Sequence, residues 1–432
     1  MLPEIQQPWS AAYKLIFRFF FLAVNIIITP FVFLQGIPGM DVLINYVFMP
    51  LDKLALWINQ WLYHITPATQ PPNGNGDTPE QWMGLYTGLL LAAVGTIIWS
   101  LLDRKRQHYS KLNYWLCLGL RYFIISNGLS YGIFKLFAVQ MPFPSLSQLA
   151  TPLGDYLPMR FSWMFIGYSF SYQFFSGLIE VVAALLLLFR PTATLGILVS
   201  LGVFFNVMML NLSYDIPVKI NSITLVVICC WLLAMELPRL IAFFFHNRAE
   251  TSNILQFPFS TKRGRRLART VKWVFIGLTM GVTVMLSLQS YNQQHNKINP
   301  PVLKTGMYDV LLQVHQGDTL SIADADSLFW QNFVLDKGME GSIKTSDSRF
   351  RQRYGRGYFN YKVDSVQSTL SLFRKTSDSV PIVQFRYEVK DSVTLLLRSI
   401  PKTDSLQLLL RRRTTAFPLG EKQFHWISET NR

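Results

Sequence analysis

Apolar stretches long enough, or nearly so, to cross about 30 Å of hydrocarbon as helices recur at residues 13–34, 84–102, 114–139, 172–189, 192–211, 220–236 and 271–288. Seven such runs leave little choice of solvent. In hydrocarbon every backbone N–H and C=O must be satisfied within its own segment, so each run reads as a transmembrane helix. Composition agrees: 50% of the 432 residues are hydrophobic and 15% are charged, against roughly 25% charged in soluble domains. The first run does not read as a secretory signal, because Lys14 and Arg18 are followed by an apolar stretch that passes Asn25 and reaches Pro30 without a small-residue cleavage site.

Orientation follows from the basic residues. Alternating sides from the first run puts Lys14, Arg18, Arg104, Lys105, Arg106, Lys111, Arg190, Arg239, Arg248 and the six cations from Lys262 to Lys272 on one face. Only Lys53, Lys135, Arg160 and Lys219 fall on the other. The positive-inside rule then predicts a multi-pass inner-membrane protein with a cytoplasmic amino terminus and a periplasmic carboxyl-terminal domain. The net charge of +15 thereby reads as a topology signal, and nucleic acid is excluded as a partner. The Lys262 to Lys272 run either carries that signal or attracts anionic lipid.

Between the first two runs, residues 40–65 are apolar but interrupted by Asp41, Asn45, Asp52, Lys53, Gln60 and His64, which predicts an interfacial helix anchored by Trp57 and Trp61. The turn-rich segment from Pro71 to Thr78 follows, and its single carboxylate, Asp77, is too few ligands for a metal. Beyond the seventh run the chain changes character: residues 289–432 hold 34 of the 65 charges. Val310–Val314, Ser368–Arg374, Val383–Val389, Val393–Arg398 and Leu406–Arg411 read as strands. Asp-Ser pairs at Asp326, Asp347, Asp364, Asp378, Asp391 and Asp404 read as turn formers. The expected fold is an α-helical integral membrane bundle of about seven transmembrane helices plus an antiparallel β sandwich or small barrel.

Residues 131–239 resemble the DoxX-like family of integral membrane proteins in a longer form with extra helices and a carboxyl-terminal β domain. The resemblance is carried by Tyr131-Gly132 with Lys135, Pro152 to Asp155, Pro158-Met159, Trp163, Phe165, Gly167-Tyr168-Ser169, Gly177 with Glu180, Arg190, Thr192, Leu195-Gly196, Asn206-Val207, Asn211 and Tyr214 to Lys219. Gly74, Gly76, Asp77-Thr78, Phe424 to Ile427 and Glu429 also look like the longer form. The resemblance implies a DoxX-like four-helix core with helices added, and a loose association with thiosulfate- or quinone-linked oxidoreduction. The expected regions are 1–112 (two transmembrane helices and an outer interfacial helix), 113–246 (the four-helix core), 247–288 (a basic cytoplasmic loop and the last helix) and 289–432 (the outer β domain).

Ionisable residues deep in a membrane cost about 2.5 to 3.5 kcal/mol each on insertion scales, so each needs a partner or a purpose. At about 1.5 Å per residue, Arg121 lies roughly 15 Å from Lys111 and Glu180 roughly 15 Å from Arg190, with Asn25 at a similar depth. Asn127 and Asn206 share a second level, and Lys135 and Asp215, with Lys219, an outer one. These layers read either as interhelical glue or as a buried site for a polar headgroup or a proton. The ring-rich stretch 142–172 reads as an aromatic belt or as a seat for a quinone ring or acyl chain. The histidines offer no axial pair for a haem, the three cysteines no redox pair, and no metal, nucleotide or nucleophile motif is present.

The sequence therefore predicts a redox-associated membrane subunit with a quinone- or lipid-headgroup site and no autonomous catalytic signature. Its partners are the lipid bilayer and an envelope or redox protein, and quinone is the one cofactor considered. The alternatives are a non-enzymatic scaffold whose β domain binds another envelope protein, and a small-solute carrier.

Overall fold

A computed structural model describes residues 8–28, 40–67, 76–248, 261–296, 303–320, 328–400, 405–415 and 417–420. Gly74, Asp326, Asp404 and the motif at 424–429 lie outside these residues. Contacts divide the chain into two units: Met1–Gln140 with Ser171–Leu288, and Met141–Phe170 with Gln289–Arg432.

The first unit is helical. Its elements are α1 (Ala11–Ile27), α2 (Met40–Ile58), α3 (Pro79–Leu102), α4 (Ser110–Leu136), α7 (Phe170–Leu188), α8 (Ala193–Ser213), α9 (Lys219–His246) and α10 (Lys262–His295). Two short helices, α5 (Leu146–Leu149) and α6 (Pro158–Tyr168), lie in the intervening segment of the other unit. Among the described residues, five helices, α3 and α7 to α10, are long and apolar enough to cross a membrane. Only 22% of the most apolar stretch of α3 and 17% of that of α10 are buried in protein, so their outward faces call for an apolar solvent, and the unit associates with the bilayer. Helix α1 ends at Ile27, and residues 29–34 of the expected first run lie outside the described residues.

Contacts gather alternate helix ends at two poles. At one, the buried Arg18 guanidinium donates to Ser100 Oγ (2.8 Å), the Asp103 carbonyl (2.9 Å) and the Tyr109 hydroxyl (2.7 Å). The Trp9 amide donates to the Gln107 carbonyl (3.0 Å). At the other, Asp77 accepts from the backbone amides of Lys219 (2.6 Å) and Ile220 (3.0 Å), capping α9 from a distant loop. Between the poles, Phe17, Ile124, Leu129, Leu187 and Ile228 form the core. Helices α4 and α7 meet through Gly132 and Gly177. A Cβ on either would lie 2.8 or 2.6 Å from the carbonyl oxygen of the other, so glycine is required for backbones this close.

The second unit contains an eight-stranded antiparallel barrel. Strands β1 (Gly306–His315), β3 (Trp330–Leu335), β4 (Glu340–Thr345), β5 (Arg356–Asp364), β6 (Thr369–Phe373), β7 (Val383–Val389), β8 (Thr394–Ser399) and β9 (Leu406–Arg412) pair in sequence, and β1 closes on β9. The short β2 (Asp318–Leu320) pairs with the end of β1. Trp330, Phe333, Phe359, Phe385, Leu370, Leu397, Leu408 and Leu410 fill the interior, as eight strands permit. A Cβ at Gly341 would lie 2.5 Å from the Phe359 ring, so the missing side chain makes room for that aromatic.

The expected strands all occur, and β2 to β5 are added to them. Asp364 and Asp391 accept from backbone amides two and three residues on, and Asp378 from the Lys375 amide, as turn formers. Asp347 is buried and ion-paired with Arg349 at 2.9 Å. Met141–Phe170 packs with the barrel: the Ser147 amide donates to Asp336 (3.0 Å), Lys344 lies 3.5 Å from Asp155, and Tyr156 packs on Tyr354 at 5.1 Å between ring centroids. Part of the expected ring-rich lipid seat is thus engaged in packing within the β unit.

Candidate functional site

The structure pairs the expected polar residues differently. Glu180 is buried and forms its ion pair with Lys135, while its second oxygen, Oε2, is buried without a hydrogen-bond partner among the described residues. Arg121 instead donates from Nη2 to the Leu187 carbonyl, about two turns from Glu180 along α7. The expected Arg121–Glu180 pair is therefore absent. The reason is register. Gly128 of α4 faces the Glu180 carbonyl and Ala184, and Gly132 faces Gly177, so Arg121 is level with the end of α7. Equal depth requires Lys111 and Arg190 to lie level, whereas Arg190 sits near the Arg121 turn.

The outer set also separates. Asp215 pairs with Lys219 at 2.6 Å rather than with Lys135, and Lys219 lies 3.9 Å from Asp77. Asn25 is exposed and donates to the Phe21 carbonyl of its own helix (2.7 Å), and Asn206 is exposed on α8. Asn127 lies 3.5 Å from Asn221, which also reaches the Tyr131 hydroxyl at 3.5 Å. Asn221, at the start of the apolar run 220–236, was not among the expected residues.

Several residues that carry the DoxX-like resemblance serve helix junctions. Gly132 meets Gly177, Lys135 meets Glu180, and Thr192 Oγ1 donates to the Leu186 carbonyl (2.7 Å). The Ile216 amide donates to the Asn211 carbonyl at 2.9 Å.

A half-open cavity lies elsewhere in the helical unit, at the pole where α1 begins, α7 ends and α10 begins. It encloses about 1330 Å³. Trp9 and Tyr13 line it from the start of α1, Asn113 to Ile125 from α4, Leu187 to Ile197 from the α7–α8 junction, Leu232 to Glu236 from α9, and Arg265 to Phe275 from α10. Five cations stand in this wall: Arg121, Arg190, Arg265, Arg269 and Lys272. One carboxylate does, Glu236, which is already paired with Arg239 at 3.2 Å.

Two of the cations are drawn in by the carbonyl end of α7. Leu187 accepts from Arg121, and Leu188 accepts from Lys272 Nζ at 2.5 Å. The last carbonyls of a helix have no intrahelical partner and carry partial negative charge, so they hold cations well. Arg121 Nε is buried and lacks a hydrogen-bond partner among the described residues. Lys272 also sits over the Phe189 ring, 4.5 Å from its centroid. Apolar walls with a cationic rim suit a molecule that has a tail and a polar head. Sequence reasoning noticed Arg121 and the Lys262 to Lys272 run separately. The signal that joins them is tertiary, since both reach the end of one helix from distant segments.

No family model and no solved structure matches the chain. It is 33% identical over 95 residues to a Bacillus subtilis (strain 168) protein named Uncharacterized protein YwoB. That stretch spans 22% of this chain and 62% of YwoB, so less than two thirds of the relative is covered.

Proposed function

We propose that this chain is a DoxX-like membrane subunit that holds an amphiphile, a quinone or a lipid, in its helical unit and serves a redox partner rather than acting as an autonomous enzyme. The supporting observation is the cavity of about 1330 Å³ between α4, α7, α9 and α10, whose largely apolar wall also carries cations. Pockets of roughly 300 to 1,000 Å³ bury most of a drug-sized ligand, so this one has room for a larger amphiphile. The redox association is drawn from the family resemblance. Within the same reading, α1 and α4 join the five apolar helices as the sixth and seventh spans, the amino terminus is cytoplasmic, and the β unit is periplasmic.

The test is purification of the full chain in mild detergent, with an absorption spectrum, extraction of bound quinones and lipids, and identification of co-purifying proteins. Gly119 supplies the control: it lines the cavity, and a Cβ there would meet nothing within 4 Å, so Gly119→Trp fills the space without displacing neighbours near the backbone. One amphiphile per chain, lost in Gly119→Trp, is the expected result. Equal lipid and quinone content in both proteins would overturn the reading.

One observation favours a second reading, a non-enzymatic scaffold whose β unit binds another envelope protein. The barrel interior is filled by Trp330, Phe333, Phe385 and their neighbours, so whatever this unit binds meets its outer surface. Co-purification of a stoichiometric envelope protein without any retained amphiphile is the result that would select it.

A further inference from the structure

We infer that α6 lies in the headgroup layer of the bilayer, so that the unit containing the β barrel has a lipid contact of its own. The inference is independent of the cavity reading, since α6 belongs to the other unit. Along Pro158–Tyr168 the only charged side chain is Arg160. One face of the helix is used in packing: Ser162, Ile166 and Gly167 are buried, with Gly167 set against the Met141 and Pro142 carbonyls. The opposite face is apolar as well. Leu157, Phe161 and Phe165 recur every four residues and so share a side. All three are exposed, Leu157 by 64% and Phe165 by 66%, and Leu153 just ahead of them is exposed too. A helix that is apolar all round belongs inside protein or lipid, and protein takes up only one side of α6.

Three observations name lipid as the cover for the other. Only Ser169 separates α6 from α7, which is apolar enough to cross a membrane, so the chain cannot carry α6 far from the point where α7 enters. The exposed apolar side is taken up again at the start of α7 by Phe170, Phe174 and Leu178, once more four residues apart. Finally, α6 carries no carboxylate for lipid phosphates to repel. Arg160, three residues after Leu157, borders the apolar stripe, where its carbons can lie on apolar surface while the guanidinium stays at headgroup level. The segment that carries α6 is fixed to the barrel through Ser147 with Asp336 and Tyr156 with Tyr354. A lipid seat for α6 therefore holds the barrel at the membrane surface.

The experiment reconstitutes the full chain, in a Cys230→Ser background, into dioleoylphosphatidylcholine vesicles, with single nitroxide labels introduced through Leu157→Cys, Phe165→Cys, Val366→Cys or Leu278→Cys. Val366 stands on an exposed hairpin and Leu278 on an exposed side of α10. Power-saturation spectra then compare collisions with oxygen, which concentrates in lipid, and with a water-soluble nickel chelate. The labels at 157 and 165 are expected to favour oxygen, as at 278, while that at 366 favours nickel. A preference for nickel at either α6 position overturns the inference. Low collision with both reagents there means cover by protein, a partner or a second copy, and overturns it too. The unsubstituted chain gives a check free of any change in folding: a photoactivated diazirine phosphatidylcholine should leave adducts on residues 153–165 as well as on α10. Adducts on α10 with none on 153–165 contradict the lipid seat, whatever Gly119→Trp shows for the cavity.

Discussion

Lys135 in the helical unit and Arg356 in the β unit are both buried cations, and the two units accommodate them differently. Lys135 meets the carboxylate of Glu180. Arg356 meets neutral oxygens: Ser342 Oγ at 2.8 Å, Asn332 Oδ1 at 2.7 Å and the Ala150 carbonyl at 3.4 Å. Away from water a full counter-charge stabilises a buried ammonium strongly, whereas the buried Arg18 guanidinium of the same unit is met by Ser100 Oγ, the Asp103 carbonyl and the Tyr109 hydroxyl. In a unit whose surface is rich in charge, oriented dipoles suffice, and burial only lowers the Arg356 pKa to about 10, leaving it charged at neutral pH.

The largest expected effect comes from unpairing the helical site. Lys135→Met leaves Glu180 buried without a counter-charge and should destabilise the detergent-solubilised protein by about 3 to 5 kcal/mol. Adding Glu180→Met removes the orphan and should recover most of that loss in a melting series. If the two losses simply add, the residues are not coupled, and the contrast with Arg356 collapses. Arg356→Met should cost less, about 2 to 3 kcal/mol, since it strands only neutral acceptors. The same melting series compares the two, and a larger loss at Arg356 than at Lys135 would reverse the ranking.

A smaller, pH-dependent effect sharpens the β side. Burial raises the Tyr361 pKa to about 12, with Asp336 and Tyr308 adding to the shift. Between pH 10 and 12 the folded Tyr361 keeps its proton while the unfolded one loses it, so stability falls with rising pH across that window, by up to about 3 kcal/mol. Tyr361→Phe should flatten that fall. Arg356 acts in the opposite sense: above pH 10 its folded form gives up a proton that the unfolded chain retains to higher pH, so stability rises. Arg356→Met should therefore steepen the alkaline loss, measured as melting temperature against pH. Parallel pH profiles for all three proteins would show that neither group titrates as described.

The sequence made the apolar helices legible because a run of side chains suited to hydrocarbon is a local property. The strands from residue 369 onward were legible through alternation, and the aspartate turns because Asp364 and Asp391 bond to their own neighbours. Strands β3 to β5 were hidden. Outward-facing Asn332, Ser342 and Arg356 are buried there with the inward Phe333, Ile343 and Phe359, and Arg356 bonds to the carbonyl of Ala150 in the segment that packs with the barrel. With both faces buried, no two-residue period of polarity survives in the sequence. Glu180 and Lys135 were each recognisable as costly. Their pairing was not, because it depends on the α4–α7 register set by Gly128, Gly132 and Gly177. The basic cavity was hidden for the same reason: its cations come from α4, α7–α8 and α10.

The proposal that the two units work in different solvents turns on whether α10 crosses the bilayer between them. Cys230 is exposed while Cys117 and Cys229 are buried, so a Cys230→Ser background leaves little thiol reactivity. Into it go Val366→Cys, at a β-hairpin position that is 96% exposed, and Leu267→Cys, near the start of α10 and 64% exposed. A membrane-impermeant maleimide added to intact spheroplasts should label Val366→Cys at once and Leu267→Cys only after permeabilisation. Labelling of both positions from the same side, or of Leu267→Cys alone from outside, would contradict the crossing and the orientation together.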